Sequence, residues 1–143
     1  LIKKEKYELW LAEAQNDFIM GETLLAANIF NGAVFHFQQA AEKAIKSLLL
    51  YSNLQPWGHS ILNLIQDYES SGQNVDPELK DNARALDQHY TASRYPDAMP
   101  DITPMDAYDE STALTLKERS QAIIDFVKDT LEVKTGDPNE DGV

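Results

Sequence analysis

The sequence predicts an all-α domain, an up-and-down bundle of four to five helices, on three observations. Apolar residues recur at three- and four-residue spacing over long stretches. Asn, Gly and Pro cluster between those stretches rather than inside them. No segment alternates apolar and polar residues as a half-buried strand does. The 143 residues suit one domain whose core needs no staples.

The first predicted helix covers residues 4–27. Leu11, Ala14, Phe18, Leu24 and Leu25 form its apolar stripe, extended by Tyr7 and Trp10. Glu5 and Glu8 at its start suit the positive end of the helix dipole. Asn28 to Gly32 breaks the chain with residues that tolerate the left-handed turn closing a helix. The second helix, 32–52, buries Ala33, Val34, Phe37, Ala41, Ala44, Ile45, Leu48 and Leu49, its alanines small enough to admit a close neighbour. Pro56-Trp57-Gly58 ends that stretch. A third helix, 59–70, turns Ile61, Leu62, Ile65 and Tyr68 inward.

Asp76-Pro77-Glu78 supplies an N-cap, a proline at the first helical position and an early acid. They open a fourth helix, 77–93, with Leu79, Ala83, Leu86 and Tyr90 on one face. Residues 94–108 hold three of the six prolines and cannot be continuous helix. A connector of about 15 residues is long for a compact domain, and such loops often carry function. The fifth helix, 109–132, buries Ala113, Leu116, Ile123, Phe126, Val127 and Leu131. The domain is therefore assigned to 1–132, and the polar remainder, 133–143, to a flexible acidic tail.

Twenty-four acidic residues against twelve basic ones give a net charge of −12. Such a surface repels phosphate backbones, so non-specific DNA binding is not expected; a local basic pocket could still take one nucleotide or RNA segment. The absence of cysteine excludes disulfides, thiolate zinc sites and cysteine nucleophiles, and fits a cytoplasmic location. No apolar run approaches the roughly 18–20 residues that span a bilayer, so no membrane partner is expected. There is no GxGxxG, phosphate-loop lysine motif or serine elbow, and His36, His59 and His89 lack close metal-ligand spacing. No metal site is expected.

Four places could carry chemistry. His36, Gln39, Lys43 and Lys46 share one side of the second helix, either as a solvated face or as a groove meeting an anion; Glu42 would partly neutralise Lys46. Tyr90 to Ala98 lies where the fourth helix gives way. There Arg94 offers a fork of donors to phosphate or carboxylate, and Asp97 could pair with it or cap the next turn. That segment is a structural lock, a ligand site, or both. Arg84 and His89, five apart, could serve RNA cleavage, with His moving the 2′-hydroxyl proton and Arg stabilising the phosphorane. On a straight helix, however, they point roughly 140° apart. His59 opens the third helix as a hydrogen-bonder or as a catalyst.

Taken together, these segments resemble a known family. Val34-Phe35-His36-Phe37-Gln38-Gln39-Ala40-Ala41-Glu42-Lys43-Ala44-Ile45-Lys46 is similar to the "QQAAEKALKA" helix of the HEPN family, the higher eukaryote and prokaryote nucleotide-binding domains. His59-Ser60-Ile61-Leu62-Asn63-Leu64 resembles its "HSLxxL" helix start. Leu86-Asp87 through Tyr90, with Arg94-Tyr95-Pro96-Asp97-Ala98, resembles its "LDxxYxxxRYPDA" signature, which marks an RYPD-type member. Order and intervals fit over about residues 7 to 132.

The resemblance implies a helical bundle, a homodimer, a nucleotide as bound small molecule, and a minimal nucleotidyltransferase as partner in a toxin–antitoxin pair. By position Gln39, Lys43, His59, Tyr90, Arg94, Tyr95 and Asp97 match the family pattern as ligand-binding residues. The family's ribonucleases carry an Arg and a His four to six residues apart. After Arg94 that His is missing, with Met99, Pro100 and Asp101 in its place, and Arg84–His89 has the spacing but with Ala85 where a polar residue is usual. The leading expectation is thus a non-catalytic binding domain. The alternatives are a metal-independent endoribonuclease using Arg84 and His89, and a structural interaction module.

Overall fold

Asn28 and Asn53, the two described residues other than glycine with positive φ, both at 60°, end the first two long helices. These are α1 (Lys6–Ala26) and α2 (Phe30–Tyr51). At each end the chain closes on itself. The Ile29 N–H donates to the Leu24 carbonyl at 2.9 Å and Asn28 to Leu25 at 3.0 Å; Leu54 and Asn53 repeat the pair on Leu49 and Leu50. This double bond around a left-handed residue satisfies carbonyls a helix end leaves open. With only three residues between them, α1 and α2 form an antiparallel hairpin.

The computed structural model describes residues 3–98 and 101–136. Beyond the hairpin come α3 (Ile61–Ser70), α4 (Pro77–Asp87), the single turns α5 (His89–Ala92) and α6 (Pro104–Ala107) with a 3₁₀ turn (Pro96–Ala98) between them, and α7 (Glu110–Thr135). The described residues are all α, with no strand. No described helix is long and apolar enough to cross a membrane.

The central helix is α2, packed foremost on α1 and α7 and also on α3 to α6. Its Phe37, Ile45, Leu48 and Leu49 are fully buried against Ala14, Ile61, Leu64, Leu86, Ile123 and Val127 of the surrounding helices. Close approach rests on small residues, as the alanines predict. At Gly21 an added Cβ would stand 2.5 Å from the Phe37 ring. The Ser120 hydroxyl donates to the Phe37 carbonyl at 2.7 Å, tying α7 to α2 inside the core.

Helix α1 begins at Lys6 and α2 at Phe30, two residues later and two earlier than the sequence expectation, and three further boundaries differ. The third helix begins at Ile61 rather than His59, because Ser60 caps it and leaves His59 outside. The fourth ends at Asp87; the turn at Gln88 (ψ −20°) separates it from α5, so Arg84 and His89 lie on different helices. The last helix runs to Thr135 and closes on Gly136 at φ 71°, so residues 133–135, assigned to the tail, are helical. Residues 137–143 of that expected tail lie outside the described residues.

Candidate functional site

The start of α3 is capped from another helix. The Asp87 carboxylate, at the end of α4, accepts from the Ile61 N–H (2.8 Å), the Leu62 N–H (3.0 Å) and the Ser60 hydroxyl (2.9 Å). Ser60 Oγ in turn accepts from the Asn63 N–H at 3.1 Å. The free donors of this helix end are therefore spent within the fold, and the end is no anion site.

The polar stripe of α2 is not a solvated face. On one side His36 and Lys43 converge on Asp17 of α1: Lys43 Nζ donates to Asp17 Oδ2 at 2.6 Å, and His36 Nδ1 lies 2.9 Å from Oδ1. On the other side Glu42 meets Lys46 Nζ and His59 Nδ1, each at 3.1 Å, and accepts from Gln38 Nε2 at 3.3 Å. Asp17 and Glu42 are each 2% exposed. The expected Glu42–Lys46 pair is present, and Lys46 also lies 5.6 Å above the Trp10 ring. Charges this deep persist because each carboxylate has a cation and further donors beside it.

Where α2 meets α5, rings and a guanidinium form a cluster. His59 stacks on Tyr90, centroids 4.8 Å apart and planes 15° apart. The Arg94 guanidinium carbon lies 4.7 Å over Tyr90, 4.7 Å over Tyr95 and 4.5 Å over Phe35. Arg94 Nε donates to the Tyr90 carbonyl at 3.1 Å and Nη1 to the Tyr95 hydroxyl at 3.3 Å. The sequence dictates this local form. Arg94 follows the last turn of α5, Pro96 forbids helix at Tyr95, and Asn31 of α2 donates to the Ser93 carbonyl at 3.2 Å.

Of the candidate ligand residues, the structure brings His59, Tyr90, Arg94 and Tyr95 together. Lys43 stays with Asp17. The Gln39 amide donates to Gln38 at 2.6 Å. Asp97 is exposed on the 3₁₀ turn and makes no ion pair with the other described residues; of the two roles open to it, the pair with Arg94 is not formed, and Arg94 meets aromatic rings. Tyr90 is in contact with both the His59 ring and the Arg94 guanidinium. Sequence reasoning missed Phe35 and Asp17. Phe35 carried a signal: an aromatic two residues before the core residue Phe37 lies off the apolar face.

Arg84 pairs with Asp81 at 2.8 Å on the surface of α4. His89 is part-buried, with Nδ1 2.6 Å from the Tyr108 hydroxyl. Burial pushes the His89 pKa below its ordinary value and the Tyr108 hydroxyl above its own. No cluster of three or more acidic or histidine side chains suited to a metal occurs among the described residues.

Fold and cluster together define a class: a small all-α domain that presents an arginine among aromatic rings at one end of its central helix. The HEPN domain family matches residues 7–130, and the chain belongs to it. Among solved structures it is similar to TT1696 from Thermus thermophilus, 32% identical over 88% of this chain and 98% of that one, with a TM-score of 0.82. It is also similar to ST0689, an archaeal HEPN homologue, at 30% identity over 90% and 99% of the two chains, TM-score 0.76. A HEPN domain protein of Thermotoga maritima is 30% identical over 86% and 97%, TM-score 0.69. A more distant relative, 23% identical over 90% of each chain, is named "Putative toxin MJ1304" of Methanocaldococcus jannaschii.

Proposed function

We propose that this HEPN domain binds a nucleotide or another phosphate-bearing ligand at the cluster of His59, Tyr90, Arg94 and Tyr95. One observation carries the reading. Among the described residues Arg94, part-buried among three rings, has no carboxylate partner, whereas Lys43, Lys46, Lys80, Arg84 and Lys117 each do; Arg119 meets the Asn82 amide instead. In a chain of net charge −12, leaving that guanidinium without an acid fits a role in meeting an anion from outside. Only Nε and one Nη1 hydrogen are committed, which leaves N–H groups for a phosphate.

The test is titration calorimetry with ATP and with inorganic phosphate, wild type beside Arg94→Gln. Binding that the substitution abolishes supports the reading. No binding at millimolar ligand, or binding indifferent to the substitution, sinks it. The resemblance to RYPD-type members extends the proposal to a homodimer working with a minimal nucleotidyltransferase in a toxin–antitoxin pair, and the relative named as a toxin fits. Co-expression with a neighbouring nucleotidyltransferase followed by size-exclusion chromatography checks both points.

A second reading, an endoribonuclease using Arg84 and His89, is favoured by one feature. Burial lowers the His89 pKa and Tyr108 holds its ring, as suits a general base. Arg84, tied to Asp81 on the surface, gives it less support. RNA cleavage by wild type that is lost in His89→Ala would establish it; intact RNA after hours at high protein would end it.

A further inference from the structure

Glu42 is a buried carboxylate with three donors on it. Lys46 Nζ and His59 Nδ1 share Oε2, each at 3.1 Å, and Gln38 Nε2 donates to Oε1 at 3.3 Å. The same Gln38 amide donates to the His59 carbonyl at 3.5 Å, so the ring and the backbone of His59 are both tied to α2. A carboxylate only accepts, so Nδ1 carries a hydrogen in either charge state of the ring. The atom that changes is Nε2, which is a lone pair on the neutral imidazole and an N–H on the cation. Nε2 has no hydrogen-bond partner among the described residues, and the side chain is 57% exposed. Lys46 already balances Glu42, so a proton on His59 adds positive charge beside Arg94 rather than cancelling an acid.

We propose that His59 is a pH-gated phosphate donor of this site and that Glu42 sets its tautomer; this rests on the phosphate-binding reading above. Imidazole and guanidinium lie against one ring, at 4.8 and 4.7 Å from the Tyr90 centre. Whichever faces they take, they stand no farther apart than those two distances together. A phosphate making a charge-assisted contact of about 2.8 Å to each of them spans that gap. The protonated ring therefore joins Arg94 on one phosphate through its Nε2–H. The neutral ring turns a lone pair toward the same oxygens and repels them. Affinity rises as pH falls through the titration of the ring and declines above it. The other ionisable groups around the ring are Glu42 and Lys46 of α2, Tyr90 and Arg94 at α5, and Asp87 of α4, which holds the neighbouring Ser60 and Ile61. Between about pH 5 and 8, imidazole is the one of these group types that ordinarily changes charge. Glu42 is a positioning residue: by accepting from Nδ1 it denies the neutral ring the tautomer that would carry its hydrogen on Nε2.

The experiment is calorimetry with ATP at pH 6 and pH 8, on the full chain beside His59→Gln, Glu42→Gln and Arg94→Gln. His59→Gln offers an amide N–H at every pH, so its profile carries only the ligand's own titration. Wild type should gain about tenfold more affinity than His59→Gln between pH 8 and pH 6, the range of one charge-assisted hydrogen bond. At pH 7 its binding should also take up more protons, read from the enthalpies in two buffers of different ionisation heat. Glu42→Gln, whose amide can donate to Nδ1, should flatten the wild-type gain. ATP binding that Arg94→Gln abolishes, with the same pH profile in wild type and His59→Gln, overturns the inference and leaves the phosphate-binding reading standing. A Glu42→Gln profile equal to wild type overturns the role of Glu42. No binding of ATP at either pH overturns both readings. Circular dichroism of each variant separates loss of binding from loss of fold.

Discussion

Two cations pack against α2, and they are treated in opposite ways. Lys43, on the α1 side, meets Asp17 at 2.6 Å, with His36 on the other carboxylate oxygen. Arg94, on the α5 side, meets three rings and two oxygens of its own segment, and no carboxylate among the described residues. The first is a closed ion pair at a helix seam. Its charge is spent on folding, and what it lends the protein is the register of α1 on α2. The second keeps its charge while losing much of its water, because ring faces attract a guanidinium without neutralising it. A positive group in a motif therefore says less than its partner does.

The comparison breaks most visibly at the seam. Lys43→Met leaves the Asp17 carboxylate, 2% exposed, with His36 alone. The expected cost is about 2–3 kcal/mol, below the full penalty for a broken buried pair because Lys43 itself is partly exposed. Urea denaturation reads it. ATP affinity should stay within about twofold, since Lys43 bonds Asp17 rather than the Arg94 cluster, which the seam meets through His36, edge-on to Phe35 with ring centroids 5.2 Å apart; a large loss of binding would erase the distinction between the two cations.

Next comes the cap that holds the cluster's frame. Asp87→Ala removes three hydrogen bonds at the start of α3 and should cost about 2 kcal/mol. It should also loosen His59, which lies two residues before that helix, so ligand binding should weaken along with stability. Arg94→Gln should cost less, about 1 kcal/mol or under, the scale of exposed cation–π contacts, while removing phosphate-dependent binding. Large destabilisation with no ligand effect would instead identify Arg94 as a structural lock.

The smallest effect concerns pH. Burial holds the His89 pKa below its ordinary 6.5 in the folded chain. The unfolded chain then takes up a proton first as pH falls, so the stability from neutral His89 is complete above 6.5 and is lost progressively below it, down to the folded value. His89→Gln should flatten the wild-type decline in melting temperature between neutral pH and the onset of carboxylate titration. A variant profile parallel to wild type would mean that His89 titrates normally.

Much of this was legible in the residues. Asn28 gave the first helix its end because few other residues accept a positive φ. The alanines of α2 foretold close packing, and Glu42 and Lys46, four apart, were bound to meet on any helix. The break after Asp87 was not legible, because helical propensity runs through Gln88 without a Gly or Pro. Nor was the fate of Lys43, since Asp17 lies 26 positions away on another helix.

By itself, the sequence determined what is local: helical period, turn residues, the proline that ends helix at Tyr95, and the family motifs that order Tyr90, Arg94 and Tyr95. Only the tertiary structure decided which charges are spent. Asp17 reached Lys43, Asp87 reached the start of α3, and no acid among the described residues reached Arg94. The physical reason is that desolvation and pairing depend on what stands within a few ångströms in space, and chain spacing fixes that only within one helix.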